Sequence, residues 1–323
     1  MTAGTVLVLS GPEDATADSV VAELVGLGAP IVRMDIGDFP LWMAMTACLT
    51  QGTWRGELIS ADRSVDLAEV KSVYYRRPTR FTFEDDMSDA DAVFAGAEAQ
   101  FGVGGVLAAL EGVLWVNNPA QVAFAEYKPV QLRVAADCGL HVPRTLITND
   151  HGAAREFAAA VGGEIVCKTL SSVVLSEGGR PRITYTTPID PATIDPLSLA
   201  ATAHLLQEWV PKSYDARVTM VGHRPFAVAI HADNDAARID WRVDYDALTY
   251  APLNPPEHII TGMIRYLQYF ALEFGAFDFT VTPRGDWVFL ECNPSGQWLW
   301  LQEQAGLPIA AALAELLAKG SDQ

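Results

Sequence analysis

The sequence predicts an α/β protein: a parallel α/β unit at the N-terminus, followed by central and C-terminal units built from antiparallel strand pairs and helices. Three observations lead there. Residues 5–10 (TVLVLS), 17–28 and 30–35 read as strand, helix and strand, a β-α-β opening that calls for parallel pairing. DARVTMVG and PFAVAIHA form two apolar runs joined near Gly222-His223, as an antiparallel pair would be. The long amphipathic run PEHIITGMIRYLQYFALEFG then leads into AFDFTVTPRGDWVFLECN, a second strand pair around a turn.

The remaining elements fall into place between these. SVYYRRP (72–78) is a further strand, an alanine-rich helix covers about 88–110, and VLWVNNP (113–119) closes the first unit. We therefore divide the chain at 1–118, 119–208 and 209–323. The middle unit opens with a helix that carries Lys128, ends at Gly139 and turns through Pro143 into RTLIT. A helix at about 151–160, the strand GEIVCKTL and the apolar strand HLLQEWV (204–210) follow. SSVVLSEGGRPR (171–182) is small, polar and glycine-rich, the composition of a mobile loop, with ITYTTP as its returning strand.

Composition removes several functional classes. The chain has 323 residues, half of them hydrophobic, enough for more than one core. Its formal charge of −18 opposes nucleic acid and anionic lipid as partners. No apolar run reaches the length of a membrane span, and no basic region precedes the first one, so a soluble cytoplasmic protein is expected. The four cysteines lack CxxC spacing and sit in apolar stretches, as reduced core thiols do, so neither a disulfide framework nor a zinc site is expected. GxGxxG is absent, against a dinucleotide fold.

The chemistry concentrates near residue 291. If Arg284-Gly285 is a two-residue hairpin loop, Asp278 lies directly opposite Glu291, and Asn293 shares their face. A β-bulge would shift that pairing by one residue. Three oxygen donors from two adjacent strands suit Mg²⁺, although a solvated strand end has the same spacing. Lysines are few, and Lys128 and Lys168 stand in apolar contexts where a buried ammonium needs an anion. A structural ion pair or a phosphate would each supply it.

The order of these features resembles the ATP-grasp superfamily: a lysine before G-x-x-V-P, a second lysine on a strand about forty residues later, the Q-E-W-V hinge, D-x-R, and finally D…E-x-N. Within it, YYRRP (74–78), QEWVPKSYDARVTMVG (207–222), DWR (240–242) and FLECNPSGQWLWLQEQAGLPI (289–309) are similar to the graspetide maturases of the microviridin type. The resemblance implies an ATP-grasp fold whose central and C-terminal subdomains enclose an ATP site. It implies that Lys128 and Lys168 hold phosphates, that the 171–179 loop covers the triphosphate, and that Gln207, Glu208, Trp209 and Val210 form the adenine hinge. Trp209 equally suits a core position. Asp215 corresponds to the ribose-binding acid, and Asp278, Glu291 and Asn293 to the magnesium ligands.

The same resemblance places Arg217 and Arg242 near the γ-phosphate and the acceptor carboxylate. Arg76, Arg77 and Ser295 become candidates for the substrate cleft, and Asp233, Asp235 and Asp240, at a strand edge, for holding a basic leader residue. A homodimer is also implied. The expected reaction is phosphorylation of Asp or Glu side chains of a ribosomally made precursor peptide, then attack by a Ser/Thr hydroxyl or Lys amine to give ω-ester or ω-amide crosslinks. The metal cluster, the leaving phosphate and Asp240 are alternative bases. Two other readings remain: a ligase for free amino acids or short peptides, and a nucleotide-binding regulator without turnover, against which the intact Asp278, Glu291 and Asn293 set argues.

Overall fold

The computed structural model describes residues 4–171, 175–177, 180–182, 185–190 and 193–321. The chain divides into two compact units, one of Met1–Val122, Ala271–Phe274 and Ser295–Gln323, the other of Ala123–Phe270 and Gly275–Pro294. Residues 295–323, which the sequence reading assigned to the C-terminal subdomain, thus group with the first unit.

The first unit is organised by a parallel sheet in the order Ile31–Met34, Thr5–Ser10, Val70–Arg76, Leu114–Val116. Thr5–Ser10 is buried along its whole length, which is why it reads as an unbroken apolar run rather than an alternating one. Asp14 starts the helix Ala15–Gly26 by accepting the Ala17 N–H at 2.8 Å, and Ser88 caps Asp89–Ala108 in the same way. The sequence reading left residues 40–70 unassigned. They form a three-stranded antiparallel sheet, Met43–Thr50, Thr53–Ser60 and Ser64–Asp66, whose buried Met43, Leu58 and Val65 join the sheet core around Leu7, Leu9 and Val73.

The second unit holds two antiparallel sheets. One has the order Thr187–Ile189, Ile165–Lys168, His204–Glu208, Thr145–Thr148. The other has the order Leu248–Leu253, Arg224–Ala232, Tyr214–Val221, Phe274–Val281, Trp287–Asn293. The proline-containing stretch Leu248–Leu253 is a strand as well, and its presence means that Arg224–Ala232 is an interior strand. The acids Asp233, Asp235 and Asp240 therefore do not lie along a free edge of that pair; Asp235 begins the short helix Asp235–Ile239. The expected single helix around Lys128 is two helices, Pro119–Ala125 and Lys128–Asp137. The loop expectation falls partly on 172–174, 178–179 and 183–184, outside the described residues, but Leu175–Glu177 and Arg180–Arg182 pair as an antiparallel ribbon. Of the cysteines only Cys292 is buried, and Cys48 is exposed.

The hairpin Phe274–Val281/Trp287–Asn293 does bring Asp278 opposite Glu291, by a different route from the expected one. Its turn has three residues between Thr282 and Asp286, closed by Thr282 N–H to the Asp286 carbonyl at 3.0 Å. That loop moves the register by one, so Phe279 faces Phe289, and an extra residue, Leu290, moves it back at Asp278 and Glu291. The bulge separates two faces. Phe277 and Phe289 pack with Tyr266 of the helix Glu257–Phe270 and Phe279 packs against both phenylalanines, while Glu291 is aligned with Asp278.

Candidate active site

A cavity of about 350 Å³ lies within the second unit, in the size range of small-molecule sites. Its walls come from both antiparallel sheets, so residues far apart in sequence meet there. Lys168 ends the strand Ile165–Lys168, and Gln207 and Glu208 end the neighbouring strand His204–Glu208. From the five-stranded sheet come Asp215, Asp278, Thr280, Glu291 and Asn293. Asp215 and Arg217 share one face of Tyr214–Val221 because strand side chains alternate.

Lys128 is the first residue of the helix Lys128–Asp137, at the positive end of the helix dipole, where a cation is disfavoured. Glu291 offsets this, with its Oε2 at 2.8 Å from Lys128 Nζ. One turn further on, Gln131 fixes the acid-bearing strand: its amide donates to the carbonyls of Ala125 at 2.7 Å and Cys292 at 2.9 Å, and its Oε1 accepts the Cys292 N–H at 2.9 Å. A buried glutamine bonded three times holds Glu291 in place through the backbone next to it.

The charges are unequally tuned. Burial lowers the Lys168 ammonium to about 8 although Glu291 opposes the shift, and Lys128 and Lys212 add to it. Burial pushes Glu291 upward, but Lys128, then Lys168 and Arg242, draw it down to about 2. Asp278 moves the other way: burial raises it, Arg217 opposes, and Glu291 across the strand pair raises it further. Two carboxylates side by side, only oxygen donors at Asp278, Glu291 and Asn293, and no His or Cys ligand among the three fit a hard divalent cation.

Around the remaining wall, Lys212 pairs with the buried Asp215 at 2.6 Å and lies over the Trp209 ring at 5.3 Å. Trp209 is half-buried and lines the cavity with Val210, so it is not a core residue. Arg217 is buried and bonds Asp278 Oδ2 at 2.6 Å from behind; it is not among the residues lining the cavity. Arg242 lines the cavity and is held by Asp240 through Nε at 2.8 Å and Nη2 at 2.6 Å. Those bonds, against burial, bring Asp240 down to about 2, and they raise Arg242 above its ordinary value.

Comparison with known proteins bears on the fold. Residues 5–123 match the family model of the MvdD pre-ATP grasp domain. A Chryseobacterium gregarium RiPP-associated ATP-grasp ligase, solved with ADP and a leader and core peptide, superposes with a TM-score of 0.89 at 22% identity, over 98% of this chain and 97% of its own. The macrocyclase MdnC from Microcystis aeruginosa MRC, solved with the precursor peptide MdnA, gives a TM-score of 0.84 at 28% identity, over 98% of this chain and 100% of its own. The macrocyclase MdnB from the same organism gives 0.79 at 29%, over 98% and 100%. The chain has the ATP-grasp fold.

In this ATP-grasp chain the residues expected to bind the nucleotide and metal, Lys128, Lys168, Gln207, Glu208, Trp209, Val210, Asp215, Asp278, Glu291 and Asn293, all line one cavity. The substrate candidates do not gather there. Asp233 and Asp235 are exposed and outside its lining, and only Asp240 faces it. Arg76, Arg77 and Ser295 belong to the first unit, where buried Arg76 bonds the Ser295 carbonyl at 3.2 Å and Gln297 Oε1 at 2.5 Å. Gln131, Tyr185, Thr186, Lys212 and Trp241 of the lining went unnoticed in the sequence. For Gln131 the signal was available: a lone amide on the buried side of an apolar helix.

Proposed function

We propose that this chain is an ADP-forming ATP-grasp ligase that activates Asp or Glu side chains of a precursor peptide and closes ω-ester or ω-amide rings. The observation that carries the reading is a single cavity in which Lys128, Lys168 and Arg242 face the neighbouring carboxylates of Asp278 and Glu291. Its fold is shared with macrocyclases, one of them solved with its precursor peptide.

In this reading Lys128 and Lys168 bind the phosphates of ATP, the edge Gln207–Val210 takes the base, and Asp215 takes the ribose. Asp278, Glu291 and Asn293 would hold magnesium, which neutralises charge on the transferring phosphoryl group. The acceptor carboxylate attacks the γ-phosphorus, ADP leaves, and an acyl phosphate remains. A hydroxyl or amine then attacks the acyl carbon, phosphate departs, and the nucleophile's proton is lost, so that each ring costs the peptide one water. Arg242 orients the acceptor carboxylate by a charge-assisted contact. Asp240 is bound to Arg242 and is strongly acidic, which argues against it as the base. A homodimer is part of the proposal.

Incubation with ATP, magnesium and a precursor encoded beside the enzyme is expected to release ADP and give products lighter by one water per ring. Each loss should block one Asp or Glu from chemical esterification. Adducts on free amino acids, with the peptide unchanged, would establish the small-molecule ligase instead. Nucleotide binding without ADP release under any condition would establish the regulator.

A further inference from the structure

Pro211, Lys212 and Ser213 connect the edge Gln207–Val210 to the strand Tyr214–Val221. The connection is pinned, because the Ser213 N–H donates to the Val281 carbonyl at 2.8 Å. So short and fixed a link holds Lys212 between Trp209 and Asp215. Its ammonium meets Asp215 Oδ2 at 2.6 Å and lies 5.3 Å from the centre of the Trp209 ring, and its side chain is only 11% exposed.

Neither charge is satisfied by the other. A lysine ammonium carries three donors, and among the described residues Asp215 is the one hydrogen-bond acceptor of Lys212, with the Trp209 ring on a second side. Asp215, whose side chain is 8% exposed, uses Oδ2 alone; its Oδ1 is buried with no hydrogen-bond partner among the described residues. The Thr280 hydroxyl, on the neighbouring strand Phe274–Val281, is likewise buried without one. Unbonded oxygens shut away from water are costly. All of these residues line the cavity, so the missing bonds fall to whatever occupies it.

The occupant must accept from Lys212 and donate to Asp215. A vicinal diol does both, since each hydroxyl is donor and acceptor at once, and two hydroxyls on one ring lose less freedom than two separate waters. Phosphate is the competing ligand for an ammonium, and Lys212 is near enough to Lys168 to act on its charge. An ionised phosphate has no proton for Asp215 Oδ1, however, and would meet that carboxylate as a like charge.

We infer that Lys212 binds the ribose hydroxyls together with Asp215, and that this pair makes the site select ribonucleotides over deoxyribonucleotides. The inference rests on the ATP-site reading, which gives the sugar to Asp215 and no role to Lys212.

Titration calorimetry of the full chain with the magnesium complexes of ATP, 2′-deoxy-ATP and 3′-deoxy-ATP tests it. Wild type is expected to bind ATP about tenfold or more tightly than either analogue, the worth of one hydrogen bond to a charged group. Lys212→Met keeps an apolar stem and removes the charge. It should weaken ATP about tenfold and leave untouched the analogue that lacks the hydroxyl held by Lys212, so one of the two preferences disappears. Retained binding of that analogue also reports that the variant is folded. A wild type that binds ATP and both analogues alike, or a variant that weakens all three equally, overturns the inference and leaves the ATP site standing. A wild type that binds none of the three removes the ATP-site reading, and the inference with it.

Discussion

The Asp240 carboxylate grips Arg242 with both of its oxygens and also accepts the Thr186 N–H at 3.0 Å. Arg242 faces the cavity, while Thr186 leads into the strand Thr187–Ile189 at the edge of the neighbouring sheet. One buried carboxylate thus ties the arginine assigned to the acceptor to the backbone that follows the proposed phosphate loop.

Asp240→Asn should lower kcat for ring closure about ten- to a hundredfold, the worth of a charge-assisted hydrogen bond of roughly 1.5–3 kcal/mol, and raise KM for the precursor. Affinity for Mg-ATP should stay near wild type. Because Asp240 already lies near 2, the pH profile should keep its shape. An acid limb that disappears in the variant would identify Asp240 as the base after all.

Lys168 gives a pH dependence with a defined sign. Its folded-state value near 8 lies below the ordinary lysine value, so the free protein loses this charge as pH rises through 8. Mg-ATP affinity should therefore weaken between pH 7 and 9. Titration calorimetry should find that Lys168→Arg, whose guanidinium does not titrate there, flattens this trend. Lys168→Ala should weaken binding about ten- to a hundredfold at pH 7. Equal affinities for wild type and the alanine variant would remove Lys168 from the phosphate site.

Glu291→Gln preserves shape and removes the charge paired with Lys128. Turnover should fall by about two orders of magnitude or more at saturating magnesium, with the thermal midpoint only modestly changed. Wild-type turnover in this variant would dismiss the proposed metal set.

Much of this was legible because it follows from local pattern. Thr5–Ser10, the Gly222-His223 connection and the helix Glu257–Phe270 announce themselves through burial period and turn residues. The order Lys128, Lys168, Asp215, Asp278, Glu291, Asn293 was readable because charge is rare in such apolar stretches. The strands Met43–Thr50 and Thr53–Ser60 escaped notice because their pairing is fixed by tertiary contact: most of their residues are exposed or half-buried. Leu248–Leu253 was hidden by Pro252, which an outer strand tolerates. Tyr185, Thr186 and Trp241 have no local signature; only the fold brings them to the cavity.

The extra residue at Leu290 makes the last hairpin a two-phase reading frame. The aromatic half, with Phe279 opposite Phe289, is in one phase, and the acidic end, with Asp278 opposite Glu291, is in the other. Deleting Leu290 would remove the extra residue and set Glu291 directly after Phe289, so plain alternation would keep Phe289 on the aromatic side and Glu291 opposite Asp278. Straightening the bulge with Leu290 kept would instead set Leu290 opposite Asp278 and carry Glu291 to the aromatic side. Along this hairpin an odd residue is accommodated where the bulge absorbs it, and it is the bulge, rather than the length of the strand, that keeps the acid beside Asp278.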